Sequence, residues 1–175
     1  MKKLGYLSVF KCFLVIVSTL LTANLALAAK TFVYCSEGSP STFNPQLGTD
    51  GPTFNASSHA VYNQLVEFRQ GSTEIEPGLA EKWTISKDGL SYTFTLRKGV
   101  KFQTTENFKP TRDFNADDVI WTFNRQRLPD HPYAKVSGGV YEYFQSMDMG
   151  KIIKDIKKKD DYTVEFILAQ KEAPV

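Results

Sequence analysis

The 175-residue chain has few histidines and cysteines, two of each. Its soft metal ligands are His59, His131 and Cys35, apart from one cysteine near the N-terminus, and no two of the three lie at a spacing typical of a metal site. The sequence also lacks a Gly-x-Ser-x-Gly elbow and a Gly-x-x-x-x-Gly-Lys phosphate loop. We therefore expect neither an enzyme nor a bound cofactor or metal.

Most of the chain also lacks an excess of basic residues. The whole sequence has 21 Lys and Arg against 19 Asp and Glu, but Lys2, Lys3 and Lys11 fall in the first 29 residues, which contain no acidic residue. Without that stretch, 18 basic residues face 19 acidic ones, a net charge of −1. Binding to nucleic acid through phosphate neutralisation needs a clear basic excess, so we expect no nucleic-acid partner.

Long apolar runs are absent except near the N-terminus. Residues 12–29 contain no charge, follow the early lysines and end in the small residues Ala28 and Ala29. This pattern is typical of a secretory signal peptide that is cleaved after one of those two alanines. The alternative is an uncleaved anchor, but the run is near the lower limit of about 17–20 residues for a spanning helix. We therefore expect residues 1–29 to be a signal peptide.

Short apolar runs and alternating patterns, bounded by turn-forming residues, predict strands in three places. Residues 31–35 read as a short buried strand. Asp88 and Gly89 lie between two alternating runs within residues 83–96, which is a strong hairpin signal. A second hairpin is expected over residues 152–168, and together with the helices below it predicts an α+β or mixed α/β fold.

Two helix starts are indicated by polar capping residues. Asn115, followed by Asp117 and Asp118 in the first turn, predicts a helix with an apolar stripe that includes Val119. Because capping explains both carboxylates, we do not interpret them as a catalytic acid and base. Asn55 predicts the cap of an earlier helix that continues towards residue 65.

Several phrases taken together are more specific than any single motif. In this order and spacing the chain resembles the family 5 extracellular solute-binding proteins of peptide ABC transporters, and within them the branch that binds dipeptides, haem and glutathione. The resemblance runs from Lys30 to Val175. The phrases that carry it are residues 43–46, 77–83, 88–102, 114–119 and 160–166, and residues 30–40 and 136–144 point to the branch.

The resemblance implies a periplasmic-binding-protein-like fold of type II, in which two lobes close around a peptide. Thr49 matches the position at which a threonine of the family contacts the ligand, and Gly48 beside it would allow close approach of main chain. A hydroxyl both donates and accepts hydrogen bonds, which suits a peptide backbone. The alternative is an ordinary turn threonine. Tyr141 and Tyr143 are expected either to form an aromatic wall for the ligand or to pack in the core.

Domain boundaries and a missing portion are also implied by the resemblance. Residues 30–66 would be the N-terminal portion of the large lobe, and residues 67–175 the small inserted domain, truncated at its C-terminus. The aspartate and arginine that pair with the ends of the peptide in relatives, and the disulfide partner of Cys35, would lie beyond Val175. We therefore expect an N-terminal fragment with marginal stability and weak or absent ligand affinity.

The function expected from the resemblance is that of a periplasmic solute-binding component of an ABC transporter. It would capture di- or oligopeptides as a monomer and deliver them to the inner-membrane permease, with no catalysis. One alternative is a relative that binds haem, glutathione or an antimicrobial peptide. The other is a secreted structural or non-functional fragment without a small ligand.

Overall fold

The computed structural model describes residues 33–171. The chain divides between Cys35 and Ser36, and the account below concerns the unit that begins at Ser36 unless residues 33–35 are named. The predicted signal peptide, residues 1–29, lies outside the described residues. None of the helices that are described is both long enough and apolar enough to cross a membrane.

Helices and strands are mixed along this unit, as the sequence predicted. Besides the elements named next, the unit has a 3₁₀ turn at Val136–Gly138. In chain order the elements are α1 (Gly51–Ala56), β1 (Val66–Phe68), β2 (Ile75–Pro77), β3 (Ala80–Ile85), β4 (Ser91–Leu96), α2 (Ala116–Arg127), α3 (Glu142–Ser146), α4 (Met149–Ile152), β5 (Ile153–Asp160) and β6 (Thr163–Leu168).

The largest structural feature is a four-stranded antiparallel sheet in the order β3-β4-β6-β5. The two predicted hairpins, β3–β4 and β5–β6, are both confirmed and meet where β4 pairs with β6. Gly89 has a φ of 72° in the first turn, which glycine adopts without strain. The Asp88 carboxylate accepts the N–H of Leu90 at 3.0 Å and so closes that turn.

One face of the sheet forms the core against α2. Phe166 on β6 lies opposite Tyr92 on β4, so both side chains point to the same face. The Phe123 ring of α2 meets the Phe166 ring edge-on at 4.9 Å between centroids. The other face carries polar pairs such as Thr93 and Glu165. The fully or almost fully buried members of the core are Ala80, Leu96, Ala116, Tyr141, Ile153 and Val164.

The start of α2 confirms the predicted cap. The Asn115 side chain accepts the N–H of Asp117 at 2.9 Å, and the Asp118 carboxylate accepts the N–H of Asn115 at 2.9 Å. These reciprocal bonds satisfy N–H groups that have no partner within the helix. Arg112 adds two hydrogen bonds to the Asp118 carboxylate, at 2.7 and 2.9 Å.

The prediction of a helix capped by Asn55 is wrong, because the N-cap is Asp50, five residues earlier, and α1 ends at Ala56. Asp50 is the N-cap, and Pro52 stands in the first turn, where its missing N–H costs nothing. After the helix, the carbonyl of Ser57 accepts the N–H groups of residues 60, 61 and 62 in successive turns. Asn55 therefore lies near the end of a short helix and not at its start.

The predicted strand at residues 31–35 is not seen in its described part. Residues 33–35 have no regular structure and are exposed, with Val33 at 77%. Residues 31 and 32 lie outside the described part of the chain. A short apolar run becomes a strand only when another strand pairs with it, and no described strand pairs with residues 33–35.

Candidate functional site

The loop that leads into α1 contains Gly48 and Thr49 and is held by the side chain of Asp50. One carboxylate oxygen of Asp50 accepts the N–H of Thr53 at 2.8 Å. The other accepts the hydroxyls of Thr53 and Ser41, at 2.9 and 2.5 Å. These bonds join the start of the helix to a segment nine residues earlier in the chain, so the loop is fixed at both ends.

The hydrogen bonds that Asp50 accepts also favour its charged form. The hydrogen bond from Ser41, followed by the one from the backbone of Thr53, lowers the pKa of Asp50 from 3.8 to about 2. Hydrogen bonds donated to a carboxylate favour its charged form. Asp50 is therefore ionised at neutral pH and keeps all three of its donors.

Thr53 lies at the centre of the same network and is fully buried. Its hydroxyl accepts the N–H of Ser41 at 3.0 Å while it donates to Asp50. Gly48 packs directly on this residue, because a Cβ at Gly48 would lie 2.6 Å from the Thr53 Cγ2. Gly48 therefore packs on a side chain of this chain, and its role towards a ligand stays a prediction.

Thr49 is exposed at the tip of this loop, between the buried Gly48 and the capping Asp50. Its hydroxyl makes no hydrogen bond to the part of the chain that is described. The arrangement gives a fixed backbone that presents one unused donor and acceptor to the solvent. The exposed hydroxyl is accessible to a polar ligand, and the role of Thr49 in binding stays a prediction.

Tyr141 and Tyr143 do not form a common surface. Tyr141 is 2% exposed, and its hydroxyl accepts the N–H of Arg125 Nε at 2.9 Å and donates to the carbonyl of Ala134 at 3.0 Å. Tyr143 is 53% exposed and meets the Phe54 ring edge-on at 5.7 Å. Of the two alternatives for Tyr141, the structure favours core packing, and only Tyr143 is presented at the surface.

Cys35 is exposed and forms no disulfide with another described residue. Within residues 33–171, no three His, Cys, Asp or Glu side chains come together in a group that could hold a metal ion.

An apolar groove of about 770 Å³, which the sequence did not indicate, lies between three parts of the chain. Its walls come from residues 44–46 and 58–64, from residues 100–108 in the loop before α2, and from α2 itself. The exposed apolar side chains along it are Val61, Tyr62, Phe102, Phe108 and Trp121. Gly48, Thr49, Tyr141 and Tyr143 are not among its lining residues. Only the tertiary fold brings these distant segments together, so no local pattern could have predicted the groove.

Comparison with known proteins agrees with the family resemblance found in the sequence. The family model described as "Bacterial extracellular solute-binding proteins, family 5 Middle" matches residues 74–175. The chain is 57% identical over 154 residues to the dipeptide-binding protein of Escherichia coli (strain K12), a match that covers 88% of this chain and 29% of that protein. It is 54% identical over 156 residues to heme-binding protein A of Haemophilus influenzae, covering 89% of this chain and 28% of that protein.

A solved structure supports the fold. The crystal structure of a dipeptide-binding protein from Pseudoalteromonas sp. SM9913 in complex with Met-Leu matches with a TM-score of 0.75 at 46% identity. The match covers 79% of this chain and 27% of that one. The predicted mixed α and β architecture of the periplasmic-binding-protein type is thus confirmed for the part that is present. The chain spans less than a third of the length of these relatives.

Proposed function

Because the chain belongs to the bacterial extracellular solute-binding proteins of family 5, we propose that it serves in the periplasmic capture of di- or oligopeptides. It would deliver them to the inner-membrane permease of an ABC transporter. The observation that carries this proposal is the 57% identity over 154 residues to a protein named for dipeptide binding. The mechanism is binding with closure of two lobes, and no bond is made or broken.

The loop at Thr49 is the part of this chain that we assign to the ligand. An extended peptide presents N–H and C=O groups, and a threonine hydroxyl pairs with either. The bonds that Asp50 makes to Ser41 and Thr53 hold the loop before any ligand arrives. A loop that is already ordered loses less conformational entropy on binding, which strengthens the affinity.

We further propose that the chain contributes to two domains. Residues 30–66 would belong to the large lobe and residues 67–175 to the small inserted domain. The boundary falls within β1, one strand of the two-stranded sheet β1–β2, and the family model begins just after it, at residue 74.

Export is the remaining part of the proposal. A cleaved signal peptide at residues 1–29 would direct the chain to the periplasm, where we expect a monomer. In that oxidising compartment Cys35 would form a disulfide with a cysteine that this sequence does not contain. Mass spectrometry of the protein recovered from the periplasm tests the cleavage, since a mature form that begins at Ala29 or Lys30 is expected.

Haem is the second candidate ligand, favoured by the 54% identity to heme-binding protein A. A chimera separates the two candidates. In it, residues 30–175 of this chain replace the matching segment of the Escherichia coli dipeptide-binding protein. Calorimetry with Met-Leu is expected to show binding. Haem binding, followed by absorbance, without Met-Leu binding would favour the second candidate, and binding of neither would contradict both.

A further inference from the structure

Arg125 lines the apolar groove and has no acidic partner in the part of the chain that the structure describes. It lies on one face of α2 with Asp118, Trp121 and Thr122, which also line the groove and have the spacing of a single helical face. The side chain of Arg125 is half-buried. Of its nitrogens, only Nε makes a hydrogen bond to a residue between 33 and 171. Nη1 and Nη2 therefore have no polar partner among those residues.

Two aromatic rings and one hydroxyl fix the orientation of this guanidinium. Its Cζ lies 5.8 Å from the ring centroid of Trp121 and 5.7 Å from that of Tyr141. Nε donates to the Tyr141 hydroxyl at 2.9 Å, and this hydroxyl donates in turn to the carbonyl of Ala134 at 3.0 Å. A planar group that is held in this way presents its remaining N–H groups in a fixed direction. Arginine binds carboxylates through such pairs of N–H groups.

The other charged side chains that line the groove already have partners. Lys101 is paired with Asp113 at 2.7 Å. Asp118 is paired with Arg112 at 2.7 Å. Along the described walls, Arg125 is therefore the charge without a counter-charge. Because a charge removed from water costs free energy unless it is paired, a bound anion would be stabilised at this position.

The walls beside Arg125 favour an anion that has an apolar body. Exposed apolar side chains line the groove, and their exposed fractions range from 38% for Phe102 to 66% for Val61. The volume of about 770 Å³ lies within the roughly 300–1,000 Å³ of small-molecule sites. Such sites are lined mainly by apolar and aromatic side chains, with a few polar groups that fix the orientation of the ligand. Arg125 would be the orienting group here.

Two other classes of ligand fit these walls less well. A free amino acid or peptide carries an ammonium group, but the acidic side chain of the described walls, Asp118, is engaged by Arg112. A phosphate dianion would need a second unpaired positive charge, but Lys101 is engaged by Asp113. A ligand with a single negative charge and an apolar body is the class that remains.

We propose that the groove is a binding site for an amphiphilic monocarboxylate, an apolar chain or ring that carries one carboxylate. The carboxylate would accept hydrogen bonds from Nη1 and Nη2 of Arg125, and the apolar body would cover Phe102, Phe108 and Trp121. The site is separate from the loop at Thr49, which does not line the groove, so the proposal does not rest on peptide capture.

Calorimetric titration of the full chain with octanoate tests this proposal. Octanamide is the matched probe, because it has the same apolar chain without the charge, and it should bind at least tenfold more weakly. Arg125→Gln should also weaken octanoate binding at least tenfold, the effect of losing charge-assisted hydrogen bonds. Arg127→Gln is the matched control on the same helix and should bind octanoate like the wild type. Its side chain is bonded to Asn124 and to the carbonyl of Lys154, and it does not line the groove.

A second measurement does not depend on a variant that folds. The chain contains two tryptophans, so labelling it with 5-fluorotryptophan gives two ¹⁹F signals. Addition of octanoate should shift the signal of Trp121 and leave that of Trp83, which is not a lining residue, nearly unchanged.

Three calorimetric results would overturn the proposal. These are no binding of octanoate to the wild-type chain, binding of octanamide as tight as that of octanoate, and an octanoate affinity that Arg125→Gln leaves unchanged. A Trp121 signal that does not shift at saturating octanoate would also contradict it, because the ligand would then lie elsewhere. None of these measurements uses a peptide, so their failure is distinguishable from a failure of peptide binding in the chimera.

Discussion

Gly48 packs against Thr53 so closely that a Cβ at position 48 would lie 2.6 Å from the Thr53 Cγ2 and 3.2 Å from its Cβ. Thr53 is fully buried and is bonded to Asp50 and Ser41, so it has little freedom to move away. The backbone that carries Thr49 is therefore positioned by packing on one side and by the Asp50 carboxylate on the other.

Gly48→Ala should destabilise the protein by about 1–3 kcal/mol, as expected when an atom is forced into a filled space. Urea denaturation followed by circular dichroism measures the change. Gly51→Ala is the matched control, because the nearest atom to a Cβ there is Glu37 Oε1 at an ordinary 3.5 Å. Equal midpoints for the two variants would contradict the packing account.

Stability should fall with pH in a defined acidic range. Because the pKa of Asp50 is about 2 in the folded state against an ordinary 3.8, its contribution is complete above 3.8 and is lost as the pH falls to about 2. Asp50→Asn should flatten this dependence while retaining a side chain that can cap the helix. The pKa values of Asp88 and Asp160 are also lowered by hydrogen bonds. These two residues therefore also make the free energy of unfolding fall as the pH falls, in the wild type and in the Asp50→Asn variant alike. Parallel pH curves for the two proteins would argue against the assigned role of Asp50.

Asp118→Ala should cost about 1 kcal/mol, mainly through loss of the bond that caps α2 at Asn115. Asp117 provides a control one residue away, since its carboxylate pairs with Lys158 at the surface and is 51% exposed. Asp117→Ala should cost about 0.5 kcal/mol or less, as surface ion pairs do. Chemical denaturation of both variants measures the difference, and the reverse order would show that the cap is not what stabilises the helix start.

Tyr141→Phe should destabilise the protein by about 1–3 kcal/mol, because it leaves the buried carbonyl of Ala134 without its donor. Tyr143→Phe should have no effect on thermal stability, since that side chain is exposed and its hydroxyl has no hydrogen bond to a described residue. In the chimera, Tyr141→Phe should leave the affinity for Met-Leu unchanged. A weaker affinity without a change in stability would place Tyr141 at the ligand instead.

The regular parts of the fold were predictable because their signals are local. The alternating residues on both sides of Asp88 and Gly89 predict a hairpin from a short stretch of sequence alone. In the same way, Asn115 predicts the start of the helix that directly follows it. The start of α1 was missed because both Asp50 and Asn55 are residue types that cap helices. Asp50 caps the helix through Thr53 and is also bonded to Ser41, which lies outside any local window.

The candidate site was only partly predictable. The resemblance pointed to Thr49, but no pattern showed that Thr53 would be the residue on which Gly48 packs. The groove was missed because Val61, Phe102 and Trp121 meet only through the tertiary fold. Tyr141 and Tyr143 are two residues apart, yet one is buried and the other exposed, which a cluster of aromatic letters does not reveal.

The central claim, that this chain contributes Thr49 to a peptide-binding site, is tested most directly by calorimetry of Met-Leu binding to the chimera. The parent chimera should bind, and Thr49→Val should weaken the affinity about tenfold, the effect of losing one well-placed hydrogen bond. Thr73→Val, at an exposed threonine between β1 and β2, should bind like the parent. A chimera that does not bind Met-Leu, or a Thr49→Val variant that binds it as tightly as the parent, would contradict the claim.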